Sequence, residues 1–250
     1  MLAKLILLRH GESKWNLENR FTGWTDIDLT KNGRHEAKIA GIQLFKENIN
    51  INTVYVSYLK RAINTSKICL KQLNYDYFKV VYDWRLNERH YGDLQGLNKS
   101  ETAKKFGDEQ VLIWRRSYDI PPPELSKKDK RHPIHEILYK DIEQDSLPSS
   151  ESLKDTIKRV EPLWINQILP KLKNGKNVLI VAHGNSLRGI VKMLKGLSNK
   201  EVIGLNIPTG SPYLFEFNKK LELVSDRYLG DKDEIAQKLK LVAKQTTSSN

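Results

Sequence analysis

The chain has 250 residues, 39% of them hydrophobic and 29% charged, a globular composition with room for a large core. Its net charge of +12 is scattered along the sequence, without helix-turn-helix, zinc-finger spacing or aromatic-interleaved RNA motifs, so no nucleic-acid partner is expected. No apolar run approaches the ~20 residues that span a bilayer, and the single cysteine, Cys69, permits no intrachain disulfide, so a reducing cytoplasm is the expected setting.

The first predicted element is a strand, Leu5-Ile6-Leu7-Leu8, whose continuous apolar run implies burial on both faces. It leads straight into Arg9-His10-Gly11-Glu12 and is therefore expected to belong to the fold, not to a signal peptide. Thr30 is placed to cap a helix over about 31–48, with Ala37, Ala40, Ile42 and Leu44 at apolar positions. Thr53–Ser57 reads as a short strand, and Arg61 opens a helix over 60–73, where Cys69 packs as a small hydrophobe. Residues 78–82 form another strand. The stretch 88–150 is polar and loop-rich, with Pro121-Pro122-Pro123 and Pro148, and reads as a cap-like insertion containing short helices near 99–106 and 108–117. Its basic cluster, Lys127–Arg131, reads as a solvated loop.

Residues 150–173 place Leu153, Ile157, Val160, Trp164 and Ile168 on one helical face, with Pro162 expected to kink or break the helix. A second continuous apolar run, Val178–Ala182, delivers His183-Gly184. Helices over 185–195 and 198–204 follow, the latter opened by a Ser198–Glu201 capping box. Residues 212–217 and 221–227 suggest a hairpin. The tail, about 232–250, is expected to be flexible, although Ile235, Leu239 and Val242 lie at near-helical spacing; Thr246–Asn250 reads as disordered. No solenoid repeat or internal linker divides the chain, so residues 1–250 read as one α/β domain.

Two strands each end in a histidine followed by glycine. In open α/β sheets ligands bind at that edge. Arg9 and Arg61 add two permanent positive charges, so the expected chemistry is on an anion. Phosphoryl transfer needs an in-line nucleophile and cations around the equatorial oxygens. A histidine titrates near pKa ~6.5, and neighbouring arginines disfavour its charged form, so His10 is expected to be neutral and nucleophilic. His183 is expected to donate a hydrogen bond to a bound phosphate. Gly11 and Gly184 are expected to let main-chain N–H groups approach the anion.

Leu8-Arg9-His10-Gly11-Glu12-Ser13 resembles the signature of the histidine phosphatase superfamily. Residues 9–16 with 18–24, 87–99, 114–119, 182–188, 205–210 and 228–231 resemble, within it, the family of cofactor-dependent phosphoglycerate mutases, in order and at family spacing over about 3–232. The resemblance implies a three-layer α/β sandwich with a mainly parallel central sheet. It also implies an isomerase of 3- and 2-phosphoglycerate that works through a phosphohistidine and bound 2,3-bisphosphoglycerate, without metal, as a homodimer or homotetramer. The residues matching the catalytic set are Arg9, His10, Arg61, Glu88 and His183, with Glu88 the acid–base group. Those matching the substrate contacts further include Gly11, Glu12, Ser13, Lys14, Trp15, Asn16, Thr22, Gly23, Arg89, His90, Tyr91, Lys99, Arg115, Arg116, Gly184 and Asn185. No chemical role is assigned to His90. The five tryptophans read as packing residues. A bisphosphoglycerate mutase or phosphatase on the same site is the nearest alternative, and the intact 88–116 segment favours the mutase. A non-catalytic binding protein would not need His10, Arg61, Glu88 and His183 together.

Overall fold

The computed structural model describes residues 3–73 and 79–244. In chain order the elements are strand β1 (Ala3–Arg9), helices α1 (Lys14–Leu17) and α2 (Lys31–Lys46), β2 (Thr53–Val56), α3 (Lys60–Leu70) and β3 (Lys79–Tyr82). Then come α4 (Lys99–Phe106), α5 (Asp108–Arg116), α6 (Leu153–Leu163), α7 (Leu169–Lys173), β4 (Val178–Ala182), α8 (Gly184–Lys195) and α9 (Asn199–Gly204). The hairpin β5 (Tyr213–Phe217) and β6 (Leu223–Tyr228) precedes α10 (Lys232–Lys244).

The strands form one sheet in the order β3-β2-β4-β1-β5-β6, the first four parallel and the β5–β6 hairpin antiparallel at one edge. Alternation along β1 explains the layers. Leu5 and Leu7 face a core completed by Val160, Leu163, Leu187 and Ile190 of α6 and α8. Ile6 and Leu8 face the opposite core, with Ala40 and Leu44 of α2 and Ala62 and Cys69 of α3. Helices on both sides leave Leu5–Leu8 of β1, Val54–Val56 of β2 and all of β4 no solvent face, which is why those runs are apolar.

The parallel register sets the site. Arg9 pairs with Ala182, and the His10 N–H donates to the Ala182 carbonyl at 3.0 Å. The Ser57 N–H, just past β2, donates to Val181 at 3.3 Å. His10, Ser57 and His183 therefore leave the sheet side by side. One step further, β3 ends beside β2, and the Asp83 N–H donates to Val56 at 2.9 Å. That contact launches residues 84–90, which carry Glu88, across the same edge.

Two expectations are refined. Pro162 sits inside α6, and the irregularity falls beyond it, as a π-turn over Trp164–Ile168 in which the Leu169 N–H bonds the Trp164 carbonyl. Pro170, one residue on, has no N–H to continue an α-helical ladder there. The early tail forms α10, whereas Thr246–Asn250 lies outside the described residues, as does residue 78 of the third predicted strand.

Candidate active site

His10 is 2% exposed. Its Nδ1 lies 2.7 Å from the Gly11 carbonyl oxygen. A carbonyl only accepts, so Nδ1 carries the proton and Nε2 keeps its lone pair. Burial, followed by the charges of Arg61 and Arg9, holds the imidazole well below its ordinary pKa; the bond to Gly11 opposes this without reversing it. A neutral imidazole with a free Nε2 is what a phosphoryl acceptor requires.

The Gly11 N–H is not available to an anion, contrary to expectation: it donates to Thr65 Oγ1 at 3.0 Å. Gly11 is small for another reason. A Cβ there would lie 2.1 Å from the Gly33 carbonyl oxygen, and one on Gly33 would lie 2.0 Å from the Glu12 carbonyl. The two glycines let the loop after β1 press against the first turn of α2.

His183 is fully buried, its ring centroid 4.9 Å from that of His10. Its Nε2 pairs with Ser57 Oγ at 2.6 Å, whereas Nδ1 is buried without a partner among the described residues. Burial, Arg61, His10 and Arg9 push its pKa down too. An anion arriving between the imidazoles and arginines opposes those terms and favours the protonated, donating form. Arg61, 1% exposed, donates to the Gly23 and Thr25 carbonyls at 2.7 and 3.0 Å, and burial lowers it to about 10. Arg9 is anchored through Nη1 to the Ile207 carbonyl at 2.8 Å, and its buried Nε has no partner among the described residues.

Glu88 arrives from the opposite wall. Its Oε1 accepts the main-chain N–H of Asn185 at 3.0 Å, at the start of α8, and of Arg89 at 2.8 Å. A helix N-terminus favours a carboxylate there. Two adjoining lobes meet at Glu88. One, of about 70 Å³, is lined by His10, Asn16, Thr22, Gly23 and Arg61; the other, of about 110 Å³, by Arg115, Arg116, Gly184, Asn185, Arg188 and Val242. Arg9, Tyr91 and Lys99 border both. Burial, then Arg115, lowers Lys99 to about 8, and burial lowers Arg116 to about 10. Burial alone would raise the Tyr91 hydroxyl, but Arg89 and Lys99 outweigh it and bring it to about 8. Cations crowded into so small a cleft are suited to an anion carrying several charges, and the unpartnered Arg9 Nε and His183 Nδ1 are suited to its oxygens.

Besides Gly11, six of the sequence-predicted contacts do not line these two lobes. Glu12 accepts from Thr30 at 2.6 Å, and its N–H donates to Glu36 at 2.7 Å. Ser13 caps α1, Lys14 is exposed, and the Trp15 ring sits against Gly96. Arg89 stacks over the Tyr91 ring at 4.5 Å and donates to the Arg115 carbonyl, supporting both from behind. His90 is fully buried beside Trp24 and His132. Sequence reasoning missed Ser57, Arg188, Asn206 and Val242. Arg188 was within reach, one turn after Gly184 on α8; it donates to Asn185 and to the Val202 carbonyl. Trp24 does more than pack: its Nε1 donates to the Glu88 carbonyl at 2.6 Å. Among the described residues no cluster of three or more His, Cys, Asp or Glu side chains is arranged to hold a metal, and no helix is long and apolar enough to cross a membrane.

A doubly covered, mainly parallel sheet with paired histidines at one edge defines a class. The sequence profile of the histidine phosphatase superfamily (branch 1) matches residues 5–130 and 124–226, and the chain belongs to that family. It is 56% identical over 245 residues to the 2,3-bisphosphoglycerate-dependent phosphoglycerate mutase of Bacteroides fragilis, covering 98% of both chains. It is 53% identical over 244 residues to 2,3-bisphosphoglycerate-dependent phosphoglycerate mutase 2 of Bacteroides thetaiotaomicron, again covering 98% of each. Solved structures share the fold at lower identity. Bacillus stearothermophilus YhfR aligns with a TM-score of 0.66 at 24% identity over 88% of this chain and 94% of its own. Mycobacterial hydrolase 1 gives 0.67 at 21% over 91% and 97%.

Proposed function

We propose that the protein is a 2,3-bisphosphoglycerate-dependent phosphoglycerate mutase, interconverting 3- and 2-phosphoglycerate through a phosphohistidine on His10. The observation that carries the reading is the neutral, Nδ1-protonated His10 beside Arg9, the buried Arg61 and a second histidine. Relatives of that name at more than half identity over nearly the whole chain support the substrate.

Bound 2,3-bisphosphoglycerate supplies the phosphoryl group that primes His10. His10 Nε2 attacks phosphorus, and the bond from phosphorus to the ester oxygen breaks. Arg9, Arg61 and protonated His183 hold the equatorial oxygens, where negative charge is spread. Glu88, carrying a proton when the bisphosphate is bound, gives it to the departing oxygen and is left as the carboxylate. In the return step Glu88 takes the proton of the free hydroxyl, which attacks the phosphohistidine. Lys99, Arg115 and Arg116 hold the far end of the substrate, and a guanidinium fork suits its carboxylate. A phosphatase needs no such grip on a carboxylate, so these three residues favour the mutase. The remaining particulars belong to the same proposal: one domain whose 88–150 insertion caps the site, a cytoplasmic enzyme, and a homodimer or homotetramer.

Incubation with labelled 2,3-bisphosphoglycerate tests the reading. The wild-type protein should take up an acid-labile, base-stable label on histidine, and His10→Ala should lose both label and turnover. Label on a histidine of His10→Ala, or mutase turnover without it, would overturn the assignment.

A further inference from the structure

Residues 84–90 carry Glu88 through the centre of the site, yet only Trp84–Leu86 forms a regular turn. Their polar backbone groups must be satisfied by something other than a ladder. Arg159 of α6 does so. It and Glu151 are buried, with side chains 6% and 4% exposed. Arg159 Nε and Nη2 donate to the two Glu151 carboxylate oxygens at 2.6 and 2.8 Å. Nη1 donates to the Arg85 and Asn87 carbonyls at 2.7 and 3.3 Å, and Nη2 also to the Glu88 carbonyl at 3.1 Å. All five N–H donors of a guanidinium find oxygens. Glu151 completes the grip: its Oε2 accepts the His90 N–H at 2.9 Å, and its own N–H donates to the His90 carbonyl at 2.9 Å. Trp24 closes the other side, its ring 5.3 Å from the guanidinium and its Nε1 on the Glu88 carbonyl.

We propose that Glu151 and Arg159 form a positioning clamp for Glu88. They hold the main chain on both sides of it, so that its carboxylate stays against the start of α8 and within reach of the oxygen that gains or loses a proton. The inference rests on the reading of Glu88 as the acid–base group. A buried ion pair adds little net stability over an apolar pair, so its presence calls for a positional reason. Neither residue lines the cleft, and both act through the segment they hold.

The test is a double-mutant cycle. Arg159→Lys keeps the charge but offers three donors from one point, which cannot span Glu151 and three carbonyls. Misplacing a reacting group by about 1 Å costs roughly 10²-fold, so kcat should fall by about 10–100-fold. KM should change little, because the arginines and lysine of the cleft are untouched. In a Glu88→Gln background, Arg159→Lys should slow turnover no further. Equal slowing in both backgrounds would overturn the clamp. So would a fully active Arg159→Lys beside a slow Glu88→Gln, which leaves the Glu88 reading standing. A fully active Glu88→Gln would remove that reading and the clamp with it. Should circular dichroism show Arg159→Lys unfolded, Glu151→Gln, which preserves volume, enters the same cycle.

Discussion

Lys99 is a cation held where burial and Arg115 disfavour one, which brings its pKa to about 8. The neighbouring Tyr91 hydroxyl is brought to about 8 from above. Both titrate unfavourably for an anionic substrate as pH rises: Lys99 loses a positive charge and Tyr91 gains a negative one. The free enzyme should therefore lose kcat/KM above about pH 8, with the loss mainly in KM. Lys99→Arg combined with Tyr91→Phe should carry the alkaline limb to higher pH. A profile flat to pH 9.5 in the wild type, or a limb that the double variant leaves in place, would contradict this. At this scale the sequence disclosed the chemistry but not the depth. The arginines beside His10 announced a neutral imidazole, whereas burial, the larger cause, depends on how many elements cover the residue and is not written in the local motif. For the same reason the Gly11 N–H looked available until Thr65, 54 positions away, was seen to take it.

Elements were legible where periodicity and caps agreed. Thr30 caps α2 by accepting from the Gly33 N–H at 2.9 Å, and the Ser198–Glu201 box opens α9 as expected. The one-turn α1 was not legible, because its Ser13–Asn16 box spans too few residues to show a period. Nor was the exact break after α6, since Pro162 and Pro170 both offer one. How elements touch is harder still to read. Gly33 occupies the first turn of α2 with its carbonyl against Gly11 and its Cα facing Glu12. A methyl group there has backbone on its far side, which cannot rotate away. Gly33→Ala should cost about 1–3 kcal/mol, the usual range for overpacking. Calorimetry should show a lower Tm. Turnover should fall as well, because the loop that must move carries His10, whereas Ala is ordinarily the better helix former. A Tm equal to or above that of the wild type would show that the interlock is not tight.

At the scale of the molecule the question is what keeps water from the phosphohistidine. Helix α10 lies where a cover would: Ile235 is 9% exposed, Lys238 sits 3.6 Å from Glu36, and Val242 lines the wider lobe. Glu36 in turn accepts from the Glu12 N–H and from Thr209, which ties the tail to the loop after His10. The spacing of Ile235, Leu239 and Val242 gave away the helix, but not which of its residues reaches the cleft, because that depends on a docking angle set by distant residues. A mutase differs from a phosphatase on the same fold in how long it keeps its intermediate dry, and a closing segment is one way to do so. Removing residues 236–250 should therefore lower mutase turnover and raise hydrolysis of 2,3-bisphosphoglycerate relative to it. Both rates are measured on the same truncated enzyme, since loss of folded protein lowers them together and leaves their ratio unchanged. A raised ratio assigns water exclusion to the tail. An unchanged ratio places the cover in the 100–140 segment, whose α4 and α5 bring Lys99, Arg115 and Arg116 to the opposite side of the cleft.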